Sequence, residues 1–238
     1  MLWSFDRVFN HRVLWTFFCI LSGFIWFTDF PEVLESFIAP QSILAPIKSL
    51  VYAVSFWLIV LAYWVGDHGV LSVGHLLRTN EDKALKRYGD KLALFDWFSV
   101  IIQGSTLCIL AFYCQRNAGY YILAICLLTF INIAWLAIKC KHLDRVTRHK
   151  STPRDLSMAV QICKDAMHNW VVINSMFAVT LIIPALYYIV TDQGNIEDLY
   201  FIWVSIAVAR SIFDFAFCWK YYNEVVSGHF KAPHLTAA

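Results

Sequence analysis

The hydrophobic residues of the chain fall into six long apolar stretches that are separated by shorter polar segments. Each stretch offers the roughly 20 apolar residues that an α-helix needs to cross the hydrocarbon core of a bilayer. Hydropathy places the predicted spans at residues 13–30, 46–66, 92–114, 119–139, 169–190 and 199–222. The pattern predicts an all-α fold: a polytopic integral membrane protein in which residues 1–238 form one bundle of six transmembrane helices.

The segments between the spans alternate in charge. The segments after the first and fifth spans are acidic, with Asp29, Glu32, Glu35, Asp192, Glu197 and Asp198. Those at about 67–91 and 140–168 are long and basic. Basic loops stay in the cytoplasm, so we expect both basic loops and both termini to face it, in a membrane of the bacterial inner-membrane type.

The second basic loop carries helix signals. Thr152, Pro153 and Arg154 resemble a helix start, with a capping hydroxyl followed by a proline in the first position. An apolar stripe follows at helical spacing: Leu156, Val160, Cys163 and Met167. We therefore expect helical extensions of the spans to form a hairpin in the cytoplasm. Two interpretations stay open, a solvated extension and a docking surface for a soluble partner.

Composition agrees with membrane residence, since 59% of the residues are hydrophobic and only 15% are charged. The net charge of +2 is too small to indicate nucleic-acid binding. The seven cysteines are odd in number and none form a C-x-x-C pair. They are interpreted as reduced packing residues rather than as a disulfide framework or a thiolate metal site.

The last apolar stretch carries charge where the bilayer is least polar. Arg210 lies near its middle and Asp214 follows one turn later, and a charge at that depth costs about 3 kcal/mol on insertion scales. The two are four residues apart, so they share a helix face and can pair. Asp96, Asn132 and Asn174 fall in the same cytoplasmic half of their spans. These five residues predict a buried polar centre open to the cytoplasm, either an ion pair that fixes packing or a ligand, ion or proton site.

Histidines cluster on the same side of the predicted membrane. His68 and His75 follow the second span beside Asp67, and His142, His149 and His168 lie in the other basic loop. Imidazole suits zinc and iron, so Asp67, His68, His142 and His168 are candidate ligands. Their spacing matches no metal motif, and interfacial histidines are the favoured interpretation. We predict no metal and no cofactor.

Function is less constrained than topology, because the sequence contains no phosphate-binding glycine loop, no H-E-x-x-H and no G-x-S-x-G. A non-enzymatic role is therefore favoured: a membrane-embedded sensor, anchor or effector subunit for cytoplasmic partners. The alternatives are a small oligomeric channel or transporter and a membrane enzyme acting on a lipid-like substrate. Membrane lipids, a cytoplasmic protein and a second copy of the chain are the candidate partners. The residues expected to contact a partner or lipid headgroups are Lys83, Arg87, Arg145, Arg148 and Lys150.

Overall fold

A computed structural model describes residues 11–40, 42–148, 152–191 and 197–226. Every element in these ranges is an α-helix and none is a strand, which confirms the all-α prediction. In chain order the helices are α1 (His11–Phe27), α2 (Phe30–Ile38), α3 (Leu44–Arg78), α4 (Lys83–Tyr113), α5 (Ala118–Thr147), α6 (Arg154–Thr191), α7 (Glu197–Phe217) and α8 (Trp219–Val226).

Within the described residues, four helices are long and apolar enough to cross a membrane. The qualifying segments are Leu44–Asp67, Lys83–Tyr113, Ala118–Thr147 and Leu156–Thr191. A fifth span results if α1 and α2, which meet at 42°, are taken together. These four to five apolar helices are compatible with a multi-pass membrane protein.

Two predicted spans are interrupted. Span 13–30 is cut short where α1 gives way to α2, whose first turn contains Pro31 and so begins a new helix there. Span 199–222 is split at Cys218, which separates α7 from the short α8. Helical hydrogen bonds continue across this break, from Cys218 N–H to the Asp214 carbonyl and from Tyr222 N–H to the Cys218 carbonyl. Tyr221 and Tyr222 of α8 are buried.

The helices run antiparallel between two ends of different charge. At one end, Arg116 of the α4–α5 connection forms an ion pair with Asp29 between α1 and α2, with Nη2 2.7 Å from Oδ1. Asp29 is buried, and this pair was not foreseen in the sequence. The opposite end, formed by residues 78–91, 139–148 and 152–164, is here called the basic end.

The α5–α6 pair has the most extensive helix contact of the bundle. At the basic end its inner face is apolar and buried, with Leu143 and Val146 of α5 and the predicted stripe of α6: Leu156, Val160, Cys163 and Met167. Lys164 and Asp144 pair across the two helices at 2.5 Å. The hydroxyl of Thr152 donates to the carbonyl of Val146 at 2.9 Å, so it ties the connection to α5. The two helices therefore form one closed hairpin.

A glycine sets the approach of α1 to α4. A Cβ atom on Gly104 would overlap the ring of Phe18. Small residues allow close helix contact in membranes, where dispersion replaces the hydrophobic effect as the driving force. Helix α3 packs one face against α1, α4, α6 and α7 and leaves the other face, with Trp57, Leu61 and Trp64, exposed. That position brings the end of its apolar segment to the residues of the candidate site.

Candidate functional site

Polar side chains from helices α3 to α8 meet inside the bundle, towards the basic end. We call this group the polar centre: Asp67, Asp96, Asn132, Lys139, Asn174, Arg210 and Asp214, with Trp135, Trp170 and Tyr222 as hydrogen-bond donors to its carboxylates. All ten side chains are buried. Buried charge is costly unless it is paired, so the arrangement of these groups decides what the site can do.

Asp96 and its partners make a closed group. Lys139 Nζ lies 2.7 Å and 2.8 Å from the two carboxylate oxygens of Asp96, and Trp135 Nε1 donates to Oδ1 at 3.2 Å. Trp135 and Lys139 are four residues apart on α5 and so share one face. Lys139 is 0% exposed. Gly74 of α3 leaves space for this group, because a Cβ atom there would stand 3.2 Å from Asp96 Oδ2.

Asp214 belongs to a second group, built as two rungs between antiparallel helices. Trp170 Nε1 donates to Asp214 Oδ1 at 2.5 Å, and Arg210 Nη2 donates to Asn174 Oδ1 at 2.5 Å. Each helix uses an i, i+4 pair, 170 and 174 on α6 and 210 and 214 on α7. Arg210 Nη2 is 3.9 Å from Asp214 Oδ2, which also accepts a hydrogen bond from Tyr222 at 3.2 Å.

The second group is less completely bonded than the first. Arg210 Nε, Asn174 Nδ2 and the nearby Asn132 Oδ1 are buried without a hydrogen-bond partner in the described structure. Buried polar atoms are nearly always satisfied, so three in one place mark a site that accepts something more. The Arg210–Asp214 contact is also much longer than the Lys139–Asp96 contact.

A small cavity lies between the two rungs and α3. It is lined by Ala62, Tyr63, Gly66, Asp67, Asn132, Trp170, Arg210 and Asp214, and its volume is about 10 Å³. That is roughly the volume needed for one water molecule. Tyr221 of α8 closes the α3 side by donating to the carbonyl of Gly66 at 2.5 Å. The cavity can hold a single small species beside a carboxyl group.

Arg210, Asp214 and Asn132 line the cavity, and Asn174 contacts Arg210 behind it. Asp96, the fifth predicted residue, pairs with Lys139 through both of its oxygens and not with Arg210.

Two centre residues were not recognised from sequence. Lys139 is the last residue of the predicted span 119–139, and no role is predicted for it from the sequence. Asp67 was considered only as a metal ligand next to His68. The available signal for Lys139 was its i, i+4 spacing from Trp135, which puts a cation and an indole N–H on one face.

The residues expected to contact a partner or headgroups lie at the basic end. Lys83, Arg87, Arg145 and Arg148 are exposed there, and Lys150 lies outside the described residues. Among the candidate metal ligands, His168 is exposed and His142 is partly exposed, while the side chain of His68 and all of His149 lie outside the described residues. No group of three His, Cys, Asp or Glu side chains in the described part of the chain could hold a metal ion.

Arg210 also faces the outside of the bundle. A groove of about 670 Å³ between α6 and α7 is lined by apolar residues that include Val172, Met176 and Phe213, with Arg210 in its wall. His168 and Asn169 line the same groove on the side of the basic end. An apolar groove with a cation in its wall suits an amphiphile with an acidic headgroup.

Comparisons with known proteins bring no further constraint on this site, because no family model, curated protein or solved structure matches the chain.

Proposed function

We propose that the chain is a six-span protein of a bacterial-type inner membrane, with its basic end and both termini in the cytoplasm, and that it is a sensor or effector subunit. In this proposal a change in the hydrogen bonding of the polar centre moves the α5–α6 hairpin, and a cytoplasmic partner responds to that movement. One observation carries it: the α5–α6 hairpin supplies hydrogen-bond donors to both buried carboxylate groups. Trp135 and Lys139 of α5 bond to Asp96, and Trp170 of α6 bonds to Asp214.

The same two helices extend to the basic end. Lys164 and Asp144 link them beyond the polar centre, and their apolar inner faces are fully packed. Because the hairpin is one packed body, a change in bonding at Trp170 or Lys139 would displace it as a unit, in the manner of small helix shifts in other switching proteins. The exposed Arg145 and Arg148 stand at its tip. Their charge favours an acidic partner.

The relay is tested by measuring the hairpin while the centre is changed. Two spin labels, at Arg148 on the hairpin and at Lys83 on α4, report the distance between the hairpin tip and a neighbouring helix in a cysteine-free background. We expect Asp214→Asn to change the distance distribution, because Trp170 then bonds a weaker, neutral acceptor. An unchanged distribution would contradict the relay.

The matched control is the ion pair at the other end of the bundle. Asp29→Asn also neutralises a buried carboxylate, which pairs with Arg116. Asp29 does not contact the part of the hairpin at the basic end. The distribution of distances between the labels at Arg148 and Lys83 should therefore stay as in the wild type. A shift of equal size in both variants would indicate general loosening of the bundle.

The docking surface is tested by charge reversal at two places. Arg145→Glu with Arg148→Glu changes the hairpin, and Lys83→Glu with Arg87→Glu makes the same change of charge on α4. Attraction to anionic headgroups contributes about 1 kcal/mol per basic residue and should fall in both variants. Binding of an acidic protein partner to the hairpin should fall only in the first. Equal losses in both would leave lipid attraction as the whole effect.

Orientation is tested by labelling engineered cysteines in intact cells. A cysteine at Glu35 should react with an impermeant reagent from outside, and cysteines at Lys83 and Arg148 only after the membrane is opened. Labelling of Lys83 from outside would reject the topology.

A second candidate function rests on the α6–α7 groove. Its apolar lining and Arg210 favour a lipid-like ligand or substrate with an acidic headgroup. Ala209→Trp would fill the groove, and Ile212→Trp places the same side chain on the exposed face of α7 outside it. We expect only Ala209→Trp to reduce the acidic lipid that co-purifies with the protein. Equal retention in both variants would reject a specific groove ligand.

A further inference from the structure

The charges of the polar centre do not balance. Its described side chains include three carboxyl groups, Asp67, Asp96 and Asp214, and two cations, Lys139 and Arg210. Asp96 is matched by Lys139, and Asp214 lies beside Arg210. Asp67 is then the carboxyl group in excess, 6% exposed and at the edge of the small cavity. An ionised, unmatched carboxylate at this depth would be strongly unfavourable, so one positive charge is needed.

One residue that lines the same cavity, Asn132, carries an unsatisfied acceptor. Asn132 is 6% exposed, and its Oδ1 has no donor in the described structure. A carbonyl oxygen can accept a hydrogen bond from an O–H group or a water molecule, but it cannot form one with another acceptor. An ionised Asp67 supplies only acceptors. A protonated Asp67 supplies the missing donor, either directly or through one water molecule, for which the cavity has room.

We propose that Asp67 is a proton-binding site, in which its carboxyl group takes up one proton and donates it in a hydrogen bond towards Asn132 across the cavity. The bond that forms is O–H on Asp67, and the proton comes from water at the basic end, so no other reactant is required. This inference goes beyond the proposed function, because the site can exist whether or not the hairpin binds a partner.

A metal cation is less suitable than a proton at this place. Both oxygens of Asp214 already accept hydrogen bonds, from Trp170 and Tyr222. Arg210 lines the same cavity and would repel a second cation. A proton needs no coordination shell, whereas Na⁺ would need several oxygen ligands in a volume of about 10 Å³.

The charged and titratable groups that act on Asp67 come from several helices. Among the described residues they are Cys19 of α1, Tyr63 of α3, Asp96 of α4, Lys139 of α5, Arg210 and Asp214 of α7, and Tyr221 of α8. Loss of the proton would add a negative charge that draws Arg210 or Lys139 from its present partner. Proton release at Asp67 would therefore loosen one of the two carboxylate groups.

The test is infrared spectroscopy of the purified full-length protein in detergent, in which a protonated carboxylic acid has its own carbonyl-stretch band. We expect the wild-type protein to show such a band at neutral pH and Asp67→Asn to lose it. Asn132→Leu should keep the band but shift its frequency, because the acceptor is gone. The control Asp90→Asn removes an exposed carboxylate paired with Arg78 and should leave the band unchanged.

A second measurement counts the proton. Above about pH 4 an unfolded aspartate is ionised, so unfolding would release the proton of Asp67. The folded state then binds one more proton than the unfolded state, and stability falls as pH rises until the folded site itself ionises. The unfolding equilibrium constant of the wild type should rise about tenfold per pH unit relative to that of Asp67→Asn.

Three results would overturn the proposal. The first is a wild-type spectrum without the band at every pH at which the protein is folded. The second is a band that survives Asp67→Asn. The third is a band that appears only when choline replaces Na⁺, since the site would then hold Na⁺ instead. If Asp67→Asn gives no folded protein, the Asn132→Leu spectrum decides, and an unshifted band rejects the assignment.

Discussion

Asp96 and Asp214 are both buried carboxylates at the basic end of one bundle, yet their surroundings differ. Asp96 is held by Lys139 at 2.7 Å and 2.8 Å and by Trp135, with its cation fully buried. Asp214 has two aromatic donors, but its cation is 3.9 Å away and is bonded to Asn174 instead. The first group is complete, while the second adjoins a cavity, a groove and three unsatisfied polar atoms.

The difference separates a structural pair from an adaptable one. A closed ion pair has one arrangement, so its main contribution is to stability. An open group can exchange partners, since Arg210 can move between Asn174 and Asp214 within one turn of its own helix. Buried ionisable residues in membranes usually indicate function. We therefore expect a functional role for Arg210 and Asp214 and mainly a structural role for Asp96.

Breaking the closed pair should have the largest effect on stability. Lys139→Ala leaves Asp96 buried with Trp135 as its only described donor, and removal of one partner of a buried pair costs about 3–5 kcal/mol. Asp96→Asn combined with Lys139→Met should regain most of that loss, because no charge is left unpaired. The midpoint of unfolding in SDS measures both. A single variant as stable as the wild type would show that the pair is not structural.

Removing Arg210 should cost less. In Arg210→Leu, Asp214 keeps its hydrogen bonds from Trp170 and Tyr222, so the expected loss is about 1–3 kcal/mol. Arg210→Leu with Asp214→Asn should recover much of the stability. If this double variant is stable and the hairpin distance changes, the pair is functional; if the distance is unchanged, the pair serves packing alone. A loss as large as that of Lys139→Ala would remove the contrast between the two groups.

The smallest effect is expected at α8. Tyr222→Phe removes one hydrogen bond to Asp214 and keeps the ring beside Phe215, with centroids 4.8 Å apart. The expected loss is about 0.5–1.5 kcal/mol, measured by the same unfolding midpoint. Trp219→Phe on the exposed side of α8 is the control and should be neutral. A neutral Tyr222→Phe would mean that Asp214 does not depend on α8.

The sequence could predict contacts within a helix better than contacts between helices. Arg210 and Asp214 share a face by spacing alone, and depth along the spans brought Asn174 to their level. Lys139 was not predicted to belong to the polar centre, because hydropathy alone gives a lysine at the end of a span the appearance of an interfacial residue. Its partner Asp96 is 43 residues away, and nothing local signals that α4 turns this face towards α5. Tyr222 lies eight residues after Asp214, two helical turns along the same face, so spacing could have indicated this contact as well.

The sequence by itself determined that the protein is helical, that it has several segments apolar enough to span a membrane, and which connections are basic or acidic. These properties depend on composition and on the length and period of apolar runs, which are local. Only the tertiary structure decided which carboxylate pairs with which cation, and that Asp67 is left in excess. Pairing depends on how each helix is rotated about its axis and which helices are neighbours. Those choices are made by the packing of the whole bundle, including Gly74 beside Asp96 and Gly104 beside Phe18.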